Sequence, residues 1–201
     1  HNIGSSSRWY NGVDNWLFVG NSSFNTVAKL KLSLQPSQQE ITTFKKTLHK
    51  LSSVGSEENT KIALIISPNK SSIYSEMLPT EISVSPTRYI NFFLDELKDI
   101  ENLTVYDPTS DFWDIKEQEG LLYYRTDSHW NNKGAYIAFR NMLLKLGYQA
   151  PRVSFSLQKS TSGDLIEISK LNNFPSRDDD TWQAKIEHEY ELIRRENSYV
   201  A

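Results

Sequence analysis

Between Lys61 and Pro68 the apolar positions are continuous, with Ile62, Ala63, Leu64, Ile65 and Ile66 following one another without a polar break. Such a run suits a central strand of a parallel sheet, which is covered on both faces and does not need alternation. Elsewhere the period changes. From Pro36 to Leu51, Ile41, Phe44, Leu48 and Leu51 recur at helical spacing, with Ser37 or Gln38 near the start. Pro86 opens a second helical stretch carrying Tyr89, Ile90, Phe93, Leu94, Leu97 and Ile100 on one face. Trp16–Val19 and Leu103–Tyr106 predict short strands, and Leu121–Arg125 predicts a further one. Beyond it, Ala135, Phe139, Met142, Leu143 and Leu146 mark a helix face that stops at Gly147. Val54–Thr60 is polar and predicts a loop. After Pro151 the pattern weakens, and Lys185–Arg195, with His188, fits a strand or an exposed helix equally well. Strand, helix, strand, helix, strand, then strand–loop–helix is the alternation of an α/β sandwich with a mostly parallel sheet. Residues 1–10, serine-rich at the start, predict a flexible lead-in, and 11–201 a single domain.

Composition narrows the class. A chain of 201 residues supports one domain with a sizeable core. Hydrophobic residues at 38% and charged residues at 23% describe a globular protein and argue against disorder. A net charge of −3 leaves no electrostatic footprint for nucleic acid. The absence of Cys excludes a disulfide framework, a thiol nucleophile and thiolate zinc sites, and leaves the compartment open. No apolar run reaches the length of a membrane span. The first residue is His1 rather than Met, which leads to the expectation of a processed or trimmed product, and no signal peptide is visible in the sequence.

Candidate chemistry concentrates in Thr126-Asp127-Ser128-His129-Trp130-Asn131. In an extended chain residues i and i+2 share a face, so Asp127 and His129 point the same way. A carboxylate beside an imidazole holds one ring nitrogen's proton and leaves the other nitrogen as a base. Asn131-Asn132-Lys133-Gly134 can open a helix whose free N–H groups face the same spot. The plainer reading is that Asp and Ser cap a helix and the His packs. Other candidates are weaker. His49, on a Lys-rich helix, reads as solvated. Asp107, Asp111 and Asp114 do not have the spacing of a calcium loop, and Asp178-Asp179-Asp180 has no His close by, so no metal is expected. Gly20-Asn21-Ser22-Ser23 follows a strand and echoes a serine-nucleophile turn, with Ser22 or Ser23 as the hydroxyl, but Asn stands where that motif has Asp.

Longer strings carry a resemblance. Asp14-Asn15-Trp16-Leu17-Phe18-Val19-Gly20-Asn21, Pro68-Asn69-Lys70 through Ile73-Tyr74 to Leu78-Pro79, the Asp127–Trp130 block with Gly134-Ala135-Tyr136, and Gly163-Asp164-Leu165 stand in the order found in the AlgX/AlgJ family. This chain resembles that family of SGNH-hydrolase-like polysaccharide O-acetyltransferases. Asn15 replaces the usual Gly, tolerably, because Asn also accepts positive φ. The resemblance implies an SGNH-like three-layer α/β domain in permuted order, incomplete at its C-terminal end. It implies Asp127 as orienting acid and His129 as general base for a serine that carries an acetyl group. Lys70, Tyr74 and Trp130 are the implied substrate contacts, since loops after strand C-termini line such sites; a surface or ion-paired role is the alternative for Lys70. The family's Asp-Ser-Phe block is absent from these residues, so the serine is expected beyond Ala201, with Ser22 or Ser23 as a substitute or a non-catalytic glycan-binding protein as alternatives. A plain acetylesterase on the same fold is a further one. No cofactor is implied. The implied partners are a polysaccharide acceptor, an acetyl donor supplied by a membrane acyltransferase and a protein of the export machinery, in the periplasm or cell envelope.

Overall fold

Trp16, Leu17 and Phe18 are almost completely buried, and the chain is built outward from them. The computed structural model describes residues 7–159, 163–170 and 180–187. Residues 1–6 of the expected lead-in, Thr161 and Ser162, Asp178 and Asp179, and His188 lie outside the described residues. The expected boundary at residue 10 falls inside a strand. β1 (Trp9–Asn11) pairs antiparallel with β2 (Leu17–Val19), with Tyr10 opposite Phe18. The turn between them places Asp14 and Asn15 at φ 48° and 63°, so Asn15 does occupy a left-handed position. The turn at Gly20–Asn25 and α1 (Thr26–Leu30) follow; Asn21 Oδ1 accepts the Ala28 N–H at 2.9 Å.

α2 runs over Gln38–Glu57, longer than its apolar stripe predicts. Ser37 caps it in a capping box with Glu40. It continues into the segment expected to be a loop, as far as Glu57. Gly55 permits close approach there, because a Cβ would lie 2.8 Å from the Ile62 side chain. β3 (Ile62–Ile65) pairs parallel with β4 (Leu103–Tyr106). Between them come α3 (Lys70–Ile73) and α4 (Asn91–Leu94), the latter ending in a 3₁₀ turn at Asp95–Leu97. The helix expected from Pro86 is therefore shorter and starts later. α5 (Thr109–Glu119) was not foreseen; Asp111 and Asp114 lie on it and Asp107 just before it. Asp107 pairs with Arg88, and Asp111 accepts from Tyr106 Oη and Asn141.

The expected strand Leu121–Arg125 is not formed. The segment is irregular and makes one isolated antiparallel bridge, Tyr123 to Trp130. α6 (Asn132–Lys145) follows, burying Gly134, Ile137, Ala138 and Met142, while Phe139 is exposed. The buried face is thus rotated from the predicted one, because Gly134 sits against the Leu122 carbonyl and brings its own side of the helix inward. β5 (Val153–Lys159) and β6 (Asp180–Ile186) form an antiparallel pair, with α7 (Asp164–Ser169) between them in sequence.

Among the described residues, then, the strands pair two by two, and one pair is parallel. The principal core is aromatic. Tyr74 tilts against Trp16 and packs edge-on to Tyr123, while Phe112 meets Tyr123 and Trp130 edge-on. No helix among the described residues is long and apolar enough to cross a membrane. Tyr74 Oη accepts the buried Leu122 N–H at 2.9 Å and so ties the core to the irregular segment. Tyr74→Phe should cost about 1–3 kcal/mol in urea unfolding, the cost of an unmet buried donor.

Candidate active site

The segment from Leu121 to His129 turns inward without a sheet to satisfy its backbone, and each buried carbonyl must find another donor. Asn131 supplies two, its Nδ2 to Leu121 O at 2.6 Å and its N–H to Leu122 O at 2.9 Å. Lys70 supplies three more, from Nζ to the carbonyls of Tyr124 (3.0 Å), Arg125 (3.0 Å) and Asp127 (2.6 Å). Leu17 N–H also reaches Arg125 O at 2.9 Å, and Leu165 N–H reaches Thr126 O at 3.2 Å. An ammonium has three N–H donors, and these three carbonyls match them. Lys70 is 4% exposed and its Nζ lies 5.2 Å from the centre of the Phe18 ring and 5.6 Å from that of Trp16.

This arrangement corrects the substrate roles expected of Lys70 and Tyr74. Both are buried, and the hydrogen bonds above are spent inside the protein. Trp130 is half-buried and packs on Phe112. What Lys70 does is hold the loop that presents Asp127.

Asp127 and His129 do meet, by a different geometry from the extended one. Asp127 Oδ1 accepts both the backbone N–H of His129 at 2.9 Å and its ring Nδ1 at 2.7 Å. The carboxylate therefore closes a tight local turn and orients the imidazole in one stroke. With Nδ1 held as a donor, Nε2 is the nitrogen left as acceptor. The His129 side chain is 73% exposed and that of Asp127 20%. The expectation of free helix N–H groups beside the ring fails. Asn131 Oδ1 accepts from Lys133 N–H and Gly134 N–H, at 3.1 and 3.0 Å, so the cap takes both.

Asp164 was not anticipated as a site residue. Its N–H donates to Asp127 Oδ2 at 2.9 Å, and its carboxylate accepts from Ser128, N–H to Oδ1 at 2.7 Å and Oγ–H to Oδ2 at 2.5 Å. Gly163 makes this approach possible, because a Cβ there would lie 2.4 Å from Thr126 O and 2.6 Å from Asp127 Cβ. A Gly-Asp-Leu string was visible in the sequence, but nothing in it reveals a contact across 36 residues. One potential ligand atom from each of Asp127, His129 and Asp164 lies within 4.8 Å of the others. A cation could approach such a group, yet these carboxylates already accept protein donors, which is how a hydrogen-bonded acid–base array is built.

Burial pushes the Asp127 carboxyl up. The N–H groups of Asp164 and His129, with the His129 ring, outweigh that and hold it below the ordinary carboxylate range. Ser22 and Ser23 lie in the Gly20–Asn25 turn, where their described backbone bonds run to Ser7, Gly20 and Thr26. A cavity of about 500 Å³ opens beside α3, lined by Ser67, Asn69, Ser72, Arg88, Tyr89 and Trp113 among others; neither Asp127 nor His129 lines it.

Comparisons with known proteins follow the same outline. Residues 10–189 match the family model described as SGNH hydrolase-like domain, acetyltransferase AlgX. No curated protein matches the sequence. Among solved structures, Bacillus cereus PatB1 is similar at TM-score 0.63 and 18% identity, over 89% of this chain and 58% of that one. The O-acetyltransferase domain of Pseudomonas putida AlgJ is similar at TM-score 0.60 and 18% identity, over 88% of this chain and 64% of that one. Pseudomonas aeruginosa AlgX is similar at TM-score 0.52 and 16% identity, over 91% of this chain and 44% of that one. The chain thus spans less than two thirds of the length of each, and at these identities the likeness establishes the fold, which is SGNH-hydrolase-like α/β.

Two measurements check the site's construction. Lys70→Met keeps the stem and removes the donors to three carbonyls, of which Arg125 O retains the Leu17 N–H; urea unfolding should show a loss of about 2 kcal/mol, at about 1 kcal/mol for each of the other two. The lowered Asp127 value fixes a pH sign. Its contribution to stability is complete above the unfolded value of about 4 and is lost as pH falls through the lower folded value. Asp127→Asn should therefore flatten the fall in unfolding free energy between about pH 5 and pH 2, part of which comes from Asp107, held low in the same way against burial by Arg88 and Thr109. An unchanged acid slope in that variant would contradict the assignment.

Proposed function

The chain belongs to the AlgX family of SGNH hydrolase-like acetyltransferase domains, and from that premise we propose that it O-acetylates an exported bacterial polysaccharide by Ser-His-Asp chemistry. The observation that carries the reading is the 2.7 Å contact of His129 Nδ1 with Asp127 Oδ1 on an otherwise exposed ring. Asp127 holds the Nδ1–H tautomer and stabilises the imidazolium once formed. His129 Nε2 then takes the proton of a serine hydroxyl as that oxygen attacks the carbonyl carbon of an acetyl donor. The donor's leaving group departs with the proton that Nε2 returns, and the acetyl group stays on the serine. In the second half His129 Nε2 deprotonates a sugar hydroxyl, whose oxygen attacks the acyl-serine; the acetyl C–Oγ bond breaks, Nε2 returns the proton to Oγ, and the free serine is regenerated.

Ser128 Oγ is 3.4 Å from Nδ1, the edge that Asp127 occupies, and is bound to Asp164. It is poorly placed to give its proton to Nε2. The reading therefore takes the nucleophile to be a serine outside the described residues that approaches Nε2. It also takes the acceptor to be a polysaccharide, the acetyl group to be delivered by a membrane acyltransferase, a protein partner to belong to the export machinery, and the setting to be the periplasm or cell envelope. The family is what supports these assignments. Transfer requires a sugar hydroxyl to outcompete water in the site; release of free acetate would make the protein an acetylesterase.

The test is His129→Ala in the full-length protein, assayed on a chromogenic acetate ester with and without an oligosaccharide acceptor. Loss of a general base should lower kcat by about 10²–10⁴-fold while the thermal midpoint stays near that of the parent. Acetylated oligosaccharide in the parent marks a transferase. Parent-like turnover in the variant would remove His129 from the chemistry.

A further inference from the structure

The chemistry above uses Asp127 and His129 and leaves a second carboxylate without a role. Asp164 stands in the first turn of α7, where an acidic side chain commonly caps its own helix. It does not do so here: Gly163 is the cap residue, and the first N–H of the helix is met by Asp127 rather than by Asp164's own carboxylate. Instead both carboxylate oxygens of Asp164 are spent on Ser128, one on its N–H and one on its hydroxyl. The Asp164 N–H takes the Asp127 oxygen that His129 does not use. Asp164 Oδ2 lies 3.8 Å from His129 Nδ1, beyond hydrogen-bond distance. The acid and the residue between acid and base are thus engaged by a single residue of another element.

The need for such a clamp follows from exposure. A histidine side chain that is 73% exposed has little packing to choose its rotamer, and the loop beneath it has no sheet register. Hydrogen bonds must then set where Nε2 points. Asp127 Oδ1 restrains the ring, but that bond is only as well placed as the Asp127–Ser128 backbone that carries it. Lys70 holds that backbone from inside, through the Asp127 carbonyl. Ser128 is held from the other side by Asp164.

We propose that Asp164 is the positioning residue of the Asp127–His129 pair, fixing Ser128 so that the imidazole stays aligned for proton transfer at Nε2. This rests on the acid–base reading of the pair. Asp164 acts through Ser128 and Asp127 and touches no reacting atom.

The experiment compares Asp164→Ala and Asp164→Asn with the parent in the full-length protein. It reads kcat and KM on a chromogenic acetate ester, the proton NMR resonance of the hydrogen-bonded His129 Nδ1–H (assigned by its loss in His129→Ala), and the thermal midpoint. Misalignment of a catalytic group costs up to about 100-fold in rate. Asp164→Ala should therefore lower kcat roughly 10- to 100-fold with KM within about twofold, and should broaden or shift the Nδ1–H resonance. Asp164→Asn keeps an oxygen for the Ser128 N–H and should recover part of both. If Asp164→Ala fails to fold, the same comparison rests on Asp164→Asn and Ser128→Ala, each of which removes the Ser128 Oγ to carboxylate bond. Parent-like kcat with an unchanged Nδ1–H resonance overturns the proposal. So does a fall in kcat that tracks lost folded protein, with the resonance of the folded fraction unmoved. A parent without acetylesterase activity refutes the functional reading instead, and the Nδ1–H resonance then decides the positioning role alone.

Discussion

A buried ammonium is the constraint on which the site depends. Removing a lysine charge from water is unfavourable unless its hydrogen bonds are replaced, and Lys70 replaces them with three carbonyls from one four-residue stretch, Tyr124 to Asp127. The same interaction meets the opposite need. Those carbonyls are turned inward on a segment that forms no β-ladder, and they require donors. Each side makes the other tolerable. The aromatic faces of Trp16 and Phe18 complete the enclosure of the charge, so the first strands and the Tyr124–Asp127 loop share one centre.

The rest of the loop obeys the same accounting. Asn131 caps α6 with its side-chain oxygen while its nitrogens serve Leu121 and Leu122, so helix start and loop end are a single structure. Leu165 and Asp164 bring α7 against Thr126 and Asp127 through main-chain donors, at a distance only Gly163 allows. Side chains and caps perform the work that a β-ladder would do elsewhere. This explains how the Asp127–His129 turn is held in place beneath an exposed imidazole.

Much of this was legible in sequence, and the failures have physical causes. The strand at Ile62 was readable because its apolar run is unbroken, although Ala63 is exposed and the strand is not covered on both faces; the strand at Leu103 was readable from its β-branched and aromatic residues before Pro108. The contact of Asp127 with His129 was readable because it is local, although the alternation argument gave the wrong backbone for it: Asp127 bonds the His129 N–H, which an extended chain would not present. Leu121–Arg125 has the composition of a strand, yet its backbone bonds run to Lys70, Asn131, Tyr74 and Leu17, and tertiary hydrogen bonds overrode propensity. Lys70 and Tyr74 were recognised as important and given the wrong task, because sequence does not say whether a polar residue faces substrate or carbonyl. Asp164 was missed for the plainest reason: its partner is 36 residues away, and only folding brings them together.

The central claim is that Asp127 and His129 form the acid–base half of a serine-dependent acyl-transfer site. Its most direct test is a crystal structure of the full-length protein after reaction with a small sulfonyl fluoride, which traps an activated serine as a stable adduct. The account predicts one sulfonylated serine whose Oγ lies within hydrogen-bond distance of His129 Nε2, with Nδ1 still on Asp127 Oδ1. An adduct remote from His129, or a protein that stays unmodified while folded, would contradict it.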